Sequence, residues 1–170
     1  MMAYGKDGSI NFISESPEAT ERVGKHLGSI LLPGDIVLLD GDLGAGKTVL
    51  TRGIASGLGL ATNVVSPTYT LVFEHAAEGR GTDLFHFDVY RLSGAEEFVQ
   101  SGLDEYFDRG GVCVIEWGEK ILDALPFPPV RAELIGTGPE RAIHIRFREG
   151  DEERCGRLRA LLSNCGGIRV

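Results

Sequence analysis

Residues 41–48 read Gly41-Asp42-Leu43-Gly44-Ala45-Gly46-Lys47-Thr48. The apolar run Ile36-Val37-Leu38-Leu39 precedes this segment as a buried parallel strand would, and residues 49–58 follow with the pattern of a helix. Glycines between a strand and a helix let successive backbone N–H groups turn toward one point, where the start of the helix also attracts an anion. The segment therefore predicts a phosphate-binding loop of the Walker A type, in which Lys47 contacts phosphate oxygens and Thr48 contacts Mg²⁺. The alternative interpretation is a glycine-rich turn that binds nothing.

The size and charge of the chain limit the classes of protein to which it can belong. It has 170 residues, of which 42% are hydrophobic and 25% are charged, as is typical of one globular domain. We expect residues 1–170 to form that domain, with residues 150–170 as a C-terminal helix and tail to which the sequence assigns no role. The net charge is −8. Such a chain is a poor fit for a protein that grips nucleic acid by its phosphate backbone, because that binding requires basic patches.

The cysteines and the apolar runs bear on the cellular compartment. Cys113, Cys155 and Cys165 are far apart and form no Cys-x-x-Cys pair, a pattern that indicates reduced thiols in a cytoplasm. Residues 1–7 contain no apolar core of a secretion signal, and no run reaches the roughly 18 apolar residues of a membrane-spanning helix. We therefore expect a cytoplasmic protein that does not bind a membrane.

Hydrophobic periodicity predicts an α/β arrangement along the chain. Ser16 and Pro17 begin a helix as its N-cap and first residue, and this helix turns inward the apolar residues Ala19, Val23, Leu27 and Ile30. The other predicted elements are strands at 10–13, 66–74, 83–90 and 112–115, a helix at 94–108, a hairpin of 130–135 with 142–147, and a C-terminal helix with Leu158, Leu161 and Leu162 inward. Strands 66–74 and 83–90 are expected to pair antiparallel. This order predicts a three-layer P-loop NTPase fold, in which a mixed sheet has a parallel centre and antiparallel additions.

Acidic residues follow two of the predicted strands. Glu116 follows the most apolar strand, 112–115. Phosphate chemistry with Mg²⁺ needs a carboxylate near Thr48, and Glu116 is the best candidate for it. The alternative is that Glu116 is an ordinary solvated acid at a strand end. Asp88 lies on a polar side of its strand together with His86. It is expected to hold metal or to orient the attacking water, or else to pair with Arg91. His86 in such a place is more often a hydrogen-bonded structural residue than a base.

Three further residues near these motifs have open interpretations. Asp42 either caps the loop or contacts metal-bound water. Thr68 either senses the γ-phosphate by becoming ordered or belongs to a capped turn before a strand. Trp117, the only tryptophan, directly follows Glu116 and either packs in the core, walls the site or faces a partner.

Four segments occur in an order and at spacings that resemble one family. They are residues 41–48, Ser66-Pro67-Thr68-Tyr69-Thr70-Leu71-Val72, His86-Phe87-Asp88-Val89-Tyr90-Arg91-Leu92 and Glu116-Trp117. Together they resemble the TsaE family (older name YjeE), the bacterial ATPases of tRNA threonylcarbamoyladenosine synthesis. The resemblance covers residues from about 12 to 148, and the segment after residue 150 matches no part of the family pattern.

The resemblance implies an ATPase that uses ATP and Mg²⁺ and works with TsaB and TsaD. Those partners transfer a threonylcarbamoyl group to adenosine 37 of tRNAs that read codons beginning with A, and they would hold most of the tRNA. By position, the resemblance implies catalytic roles for Lys47, Asp88 and Glu116, and ligation of Mg²⁺ by Thr48 and Glu116. It also implies nucleotide-binding positions at Leu43, Gly44, Ala45, Gly46, Lys47, Thr48, Trp117, Pro17 at the start of the first helix, and Thr137 in the late hairpin turn.

Two other functions share the loop and the α/β core. A small-molecule kinase needs an arginine-rich lid to exclude water, and the turn at 78–81 is too short for one. A module that binds ATP only for assembly remains compatible with the sequence, because no residue is identified by its type alone as the one that orients the attacking water.

Overall fold

The computed structural model describes residues 8–61 and 63–170, which fold around an eight-stranded mixed sheet. The strands are β1 Ser9–Ser14, β2 Ile36–Asp40, β3 Val72–His75, β4 Leu84–Asp88, β5 Val112–Glu116, β6 Val130–Ile135, β7 Arg141–Arg146 and β8 Ile168–Arg169. The α-helices are α1 Pro17–Ile30, α2 Lys47–Gly57, α3 Ala95–Gln100 and α4 Glu152–Ser163, and two 3-10 helices span Leu103–Asp108 and Gly118–Ala124. Residues 1–7, noted above for lacking a secretion signal, lie outside the described residues.

The centre of the sheet is parallel and its additions are antiparallel, as predicted. The strand order is β3-β4-β5-β2-β6-β7-β1-β8, in which β4, β5, β2 and β6 run parallel. The strands β3, β7, β1 and β8 join by antiparallel pairing. The expected α/β fold class is therefore confirmed. Among the described residues, no helix is both long enough and apolar enough to span a bilayer.

Two helical layers cover the sheet unequally. Val37 and Leu39 of β2 pack in the core formed with α1, α2 and α4, whereas Ile36 and Leu38 pack on the opposite face with α3 and the 3-10 helices. This second layer lies over the parallel strands β4, β5 and β2. On β6 and β7 the same face instead carries side chains that are partly or fully exposed: Arg131, Glu133, His144 and Arg146. The three-layer arrangement is complete only over part of the sheet.

Helices α1 and α2 touch through their backbones. A Cβ added at Gly24 of α1 would lie 2.2 Å from the carbonyl oxygen of Leu50, and one added at Gly53 of α2 would lie 2.0 Å from that of Glu21. Gly28 and Gly57, one turn further along each helix, have similar contacts. The close approach fixes the axis of α2, and thereby the position of the loop at its start.

The segment 66–74 was expected to be a strand, and most of it is not. The N–H groups of Thr70 and Leu71 both donate to the carbonyl oxygen of Pro67, at 3.3 and 3.1 Å, so residues 68–70 form a turn. Leu71 has a left-handed φ of 64°, and the strand begins only at Val72. Hydrogen bonds within this turn therefore use backbone N–H groups that would otherwise pair with a neighbouring strand.

Other local expectations also need correction. The predicted helix 94–108 is divided at Gly102, whose φ of 73° ends α3 before a 3-10 helix begins. In α4, Leu158 and Leu162 are buried but Leu161 is 37% exposed, because it lies beyond the stripe that faces the sheet. The short strand β8, which pairs with β1, was not predicted.

Candidate functional site

Residues 41–46 connect β2 to α2 and bring their backbone close to the start of the helix. Gly46 is the N-cap residue and has a φ of 104°, a left-handed conformation that favours glycine. A Cβ at Gly41 would lie 2.7 Å from the carbonyl oxygen of Leu134, so a side chain does not fit there. The first N–H groups of any α-helix have no carbonyl partner within the helix. The start of α2 therefore offers donors to an anion, as the sequence predicts.

The ammonium group of Lys47 lies inside this loop. Its Nζ donates to the carbonyl oxygens of Gly41 at 2.5 Å and Asp42 at 3.2 Å, and it lies 4.6 Å from the ring centroid of Trp117. Lys47 is only 6% exposed, and it forms no ion pair among the described residues. Carbonyl dipoles and an aromatic face stabilise the charge without neutralising it. The positive charge of Lys47 can therefore bind an anionic ligand.

A cavity of about 640 Å³ opens beside the loop, which is within the usual size range of small-molecule sites. It is lined by Leu43, Gly44, Gly46, Lys47, Thr48, Val49, Ser66, Thr68, Asp88, Tyr90, Glu116 and Trp117. The structure therefore brings together most of the residues that the sequence singled out, from four separate segments of the chain.

Three of the predicted nucleotide-binding residues do not line this cavity. Ala45 is 1% exposed, Pro17 is the first residue of α1, and Thr137 lies between β6 and β7. The elements that carry Pro17 and Thr137 nevertheless approach the loop, since a Cβ on Gly46 would lie 3.9 Å from atoms of both Thr20 and Arg141. Contact of Pro17, Ala45 and Thr137 with a nucleotide stays a prediction.

Arg141 is a residue of the site that sequence reasoning missed. Its Nε donates to the carbonyl oxygen of Ala45 at 2.7 Å, and its Nη2 donates to that of Gly44 at 3.2 Å. The planar guanidinium thus binds two neighbouring carbonyl groups of the loop at once, which its fork of N–H donors allows. No motif surrounds Arg141, so nothing in the sequence indicated this contact.

The two predicted acids meet at the carboxyl ends of neighbouring strands. Asp88 ends β4 and Glu116 ends β5, and their Cα atoms are direct partners in the parallel ladder. Both are nearly buried, at 6% and 4% exposed, and both line the cavity. The Oδ1 atom of Asp88 accepts a hydrogen bond from the N–H of Tyr90 at 3.0 Å, which fixes the carboxylate. This edge of a parallel sheet is where ligands commonly bind.

His86 was expected on a polar side of β4, but that side is buried at His86 and is not a polar surface. Its side chain is completely buried, and its Nε2 lies 2.9 Å from Oε1 of Glu116. The pleat does point His86 to the same side as Asp88. That side of β4 is covered, since Leu84 on the same side packs in the core formed with α1, α2 and α4. His86 is therefore a hydrogen-bonded interior residue that touches the site through Glu116.

Asp42 and Trp117 lie where the cavity meets a second groove. Asp42 is exposed and lines that groove instead of the cavity, which fits the interpretation that it does not contact the metal. Trp117 borders both spaces. Its backbone is left-handed, with a φ of 63°, which is unusual for a bulky residue. Trp117 therefore walls the site.

The segment that contains Ser66 and Thr68 forms another part of the cavity wall. Their hydroxyl oxygens lie 3.1 Å apart, and both residues line the cavity. The N–H of Asp88 donates to the carbonyl oxygen of Leu71 at 2.9 Å, so the end of this segment is tied to β4. Both earlier interpretations of Thr68, a capped turn and a sensor of the ligand, are compatible with this position.

The candidate metal ligands Thr48 and Glu116 share the cavity. Within residues 8–61 and 63–170, no group of three or more His, Cys, Asp or Glu side chains is arranged to hold a metal ion. Mg²⁺ is usually bound by only one or two carboxylates together with water and the oxygens of a phosphate ligand. The oxygen atoms present suit an ion that is completed by such a ligand.

Comparison with known proteins identifies similar chains. The profile of the family described as threonylcarbamoyl adenosine biosynthesis protein TsaE matches residues 14–154. A protein of Bacillus subtilis (strain 168) called tRNA threonylcarbamoyladenosine biosynthesis protein TsaE is 40% identical over 139 residues, which are 82% of this chain and 78% of that protein. A protein of the same name from Treponema pallidum (strain Nichols) is 45% identical over 114 residues, 67% of this chain and 82% of that one.

A solved structure is also similar to this chain. The crystal structure of Bacillus subtilis YdiB matches with a TM-score of 0.73 at 33% sequence identity, and the match covers 94% of this chain and 97% of that chain.

Proposed function

The chain belongs to the TsaE family, and from this premise we propose that it is a cytoplasmic, Mg²⁺-dependent ATPase. Its ATP cycle supports N6-threonylcarbamoylation of adenosine 37 in tRNAs that read ANN codons. The observation that carries the proposal is the meeting, in one cavity, of the loop 41–48, the hydroxyl residue Thr48 and the two acids Asp88 and Glu116. The family profile and the names of the relatives support the assignment to this modification pathway.

The charges around the cavity suit a triphosphate better with a divalent cation than without one. Lys47 and the start of α2 attract phosphate, whereas the carboxylates of Asp88 and Glu116 repel it. Thr48 and Glu116 would hold Mg²⁺, whose positive charge would offset this repulsion. The residues present therefore fit MgATP as the ligand.

Each side chain then has a role in phosphate chemistry. Lys47 and the first N–H groups of α2 hold and neutralise the β- and γ-phosphates. Thr48 and Glu116 would hold Mg²⁺, which would offset the negative charge that develops on the phosphate oxygens. Asp88, fixed by the N–H of Tyr90, orients the attacking water. Trp117 and Tyr90, whose ring centroids are 5.1 Å apart, wall the site.

We further propose that TsaB and TsaD are the partners and that they hold most of the tRNA. The net charge of −8 supports this division of roles, because an acidic chain by itself is a weak binder of nucleic acid. Large apolar side chains near the cavity also point outward, with Leu43 89%, Tyr69 82% and Tyr90 56% exposed. Exposed apolar surface beside a site is typical of a place where another protein docks.

The proposal is tested by reconstituting the modification with TsaB, TsaD, tRNA and a threonylcarbamoyl donor. Multiple-turnover product is measured with the wild-type chain, with Lys47→Ala and with Thr48→Ala. The matched control is Lys25→Ala, since Lys25 is an exposed lysine of α1 away from the cavity. We expect ATP-dependent product to be lost in the first two variants and unchanged in the control, while far-UV circular dichroism shows all of them folded.

Two outcomes contradict the proposal. Full modification with Lys47→Ala means that phosphate binding at the loop is not needed. Phosphate transfer to a small-molecule acceptor, with no effect on tRNA modification, identifies the chain as a kinase instead.

A further inference from the structure

We propose that His86 is a positioning residue, which holds Glu116 in the orientation that binds the divalent cation. This inference rests on the proposed function, because it concerns the same cavity. It assigns a role to a buried histidine that does not line the cavity and lies outside the loop.

The hydrogen-bond pattern shows what His86 can do. Its side chain is fully buried in the middle of β4, and burying a polar ring is costly unless it is hydrogen-bonded. Nε2 has Oε1 of Glu116 as its partner at 2.9 Å, whereas Nδ1 has no hydrogen-bond partner among the described residues. An ionised carboxylate only accepts hydrogen bonds, so Nε2 carries the hydrogen and donates it. Nδ1 then keeps only a lone pair, and no N–H donor is buried without an acceptor.

The strand register explains why Glu116 needs this donor. Asp88 stands directly opposite Glu116 in the ladder, and His86 stands opposite Val114. Two carboxylates side by side repel each other, so each needs its own anchor. Asp88 is held by the N–H of Tyr90, and Glu116 is held diagonally by His86, one pleat deeper in the sheet.

The same bond leaves half of the Glu116 carboxylate for a ligand. Oε1 is engaged by His86, and no described residue forms a hydrogen bond with Oε2. Glu116 also lines the cavity that contains Thr48. A donor that fixes one oxygen of a ligating carboxylate sets the direction of the other, and removal of such a partner typically weakens metal binding by roughly 10- to 100-fold.

The test separates cation binding from nucleotide binding. The probe is a fluorescent, non-hydrolysable ATP analogue, titrated in EDTA and then over a range of Mg²⁺ concentrations. His86→Phe keeps an aromatic ring without the donor, and His86→Gln restores an N–H that can reach Glu116. The control Phe85→Leu changes a buried ring of the same strand that packs on the opposite side, against Tyr106. Urea unfolding of each variant measures stability.

We expect His86→Phe to raise the half-saturating Mg²⁺ concentration by roughly 10-fold or more, while its affinity in EDTA changes by less than about 3-fold. His86→Gln should recover most of the Mg²⁺ dependence, and Phe85→Leu should keep it even if it is less stable. An unchanged Mg²⁺ dependence in His86→Phe overturns the inference, as does an equal shift in Phe85→Leu. A wild-type chain that shows no Mg²⁺-dependent binding overturns the proposed function itself.

A second measurement needs neither ligand nor variant. Long-range ¹H–¹⁵N correlation spectra of the nucleotide-free wild type should show the ring of His86 with its hydrogen on Nε2. Finding the hydrogen on Nδ1 contradicts the inference, because Nε2 would then be an acceptor and Glu116 the donor.

Discussion

Replacement of Gly53 by alanine tests whether the backbone contact between α1 and α2 determines the position of the loop. The added Cβ would lie 2.0 Å from the carbonyl oxygen of Glu21, whereas real Cβ atoms essentially never approach closer than 3.0 Å. The helices must therefore separate by about 1 Å. The other close atoms, in Gly24 and Lys25, also belong to the backbone, so no side-chain rotation relieves the overlap.

The expected loss of stability follows from two opposing effects. Overpacking of this kind costs about 1–3 kcal/mol, and the rigid contact places it at the upper end. Alanine is favoured over glycine in a helix by about 1 kcal/mol. We therefore expect Gly53→Ala to lower the free energy of unfolding by about 2 kcal/mol, and to lower Tm by about 4–8 °C for a chain of this size.

The matched control is Gly156→Ala in α4, where an added Cβ meets nothing within 4 Å. This variant has the helix-propensity gain alone, so its Tm should rise by about 2–4 °C. Urea unfolding followed by circular dichroism measures both variants. If Gly53→Ala is as stable as the wild type, or shifts in the same direction as Gly156→Ala, the helices are not in tight contact and the reasoning is wrong.

Gly53→Ala should also impair ligand binding, although Gly53 lies far along α2 from the cavity. Lys47 and Thr48 are the first residues of α2, and a misplacement of about 1 Å can cost a site roughly 100-fold in rate. We expect the ATP analogue to bind at least about 10-fold more weakly at a temperature where the variant is folded. Unchanged affinity together with reduced stability would mean that the start of α2 stays in place.

Three further results are expected. Asp88→Asn should keep nucleotide affinity within several-fold but reduce partner-stimulated phosphate release by about 100-fold or more, because orientation of the attacking water acts on the transition state. Equal losses of nucleotide affinity and of phosphate release would make Asp88 a metal ligand or a structural residue. Hydrogen bonds from Arg109 and Tyr106 lower the pKa of Glu74 to about 2, so its stabilising effect is present above pH 4.5 and is lost as the pH falls toward 2. Glu74→Gln should therefore be less stable than the wild type at pH 7 by under about 1 kcal/mol, since the pair is exposed, and the gap in urea midpoint should narrow at pH 3; a constant gap would contradict this. Burial raises the pKa of the Cys113 thiol to about 12, so iodoacetamide should modify Cys165 in the native protein and Cys113 only after unfolding. Peptide mass spectrometry measures the modification of each cysteine, and equal rates for Cys113 and Cys165 in the native protein would show that Cys113 is not buried.

Local patterns were sufficient for the elements that carry the site. The apolar run 36–39 predicted a strand covered on both faces, and β2 is buried on both. Ser16 was expected to cap α1, and its Oγ accepts a hydrogen bond from the N–H of Ala19 at 3.1 Å. These features depend on residues a few positions apart, whose geometry is set by backbone sterics and helical or strand periodicity. The same reasoning was wrong for residues 66–71, where turn bonds to Pro67 replaced the expected strand.

Local sequence was thus sufficient to predict the loop 41–48, the alternation of strands and helices, and the acids at the ends of two strands. Three contacts became evident only in the folded chain: the hydrogen bond of His86 with Glu116, the hydrogen bond of Arg141 to the carbonyl of Ala45, and the backbone contact of two helices at Gly24 and Gly53. The physical reason is that these partners lie far apart in the chain. Their contacts depend on which strands and helices become neighbours, and that order follows from the packing of the whole sheet and not from any local pattern.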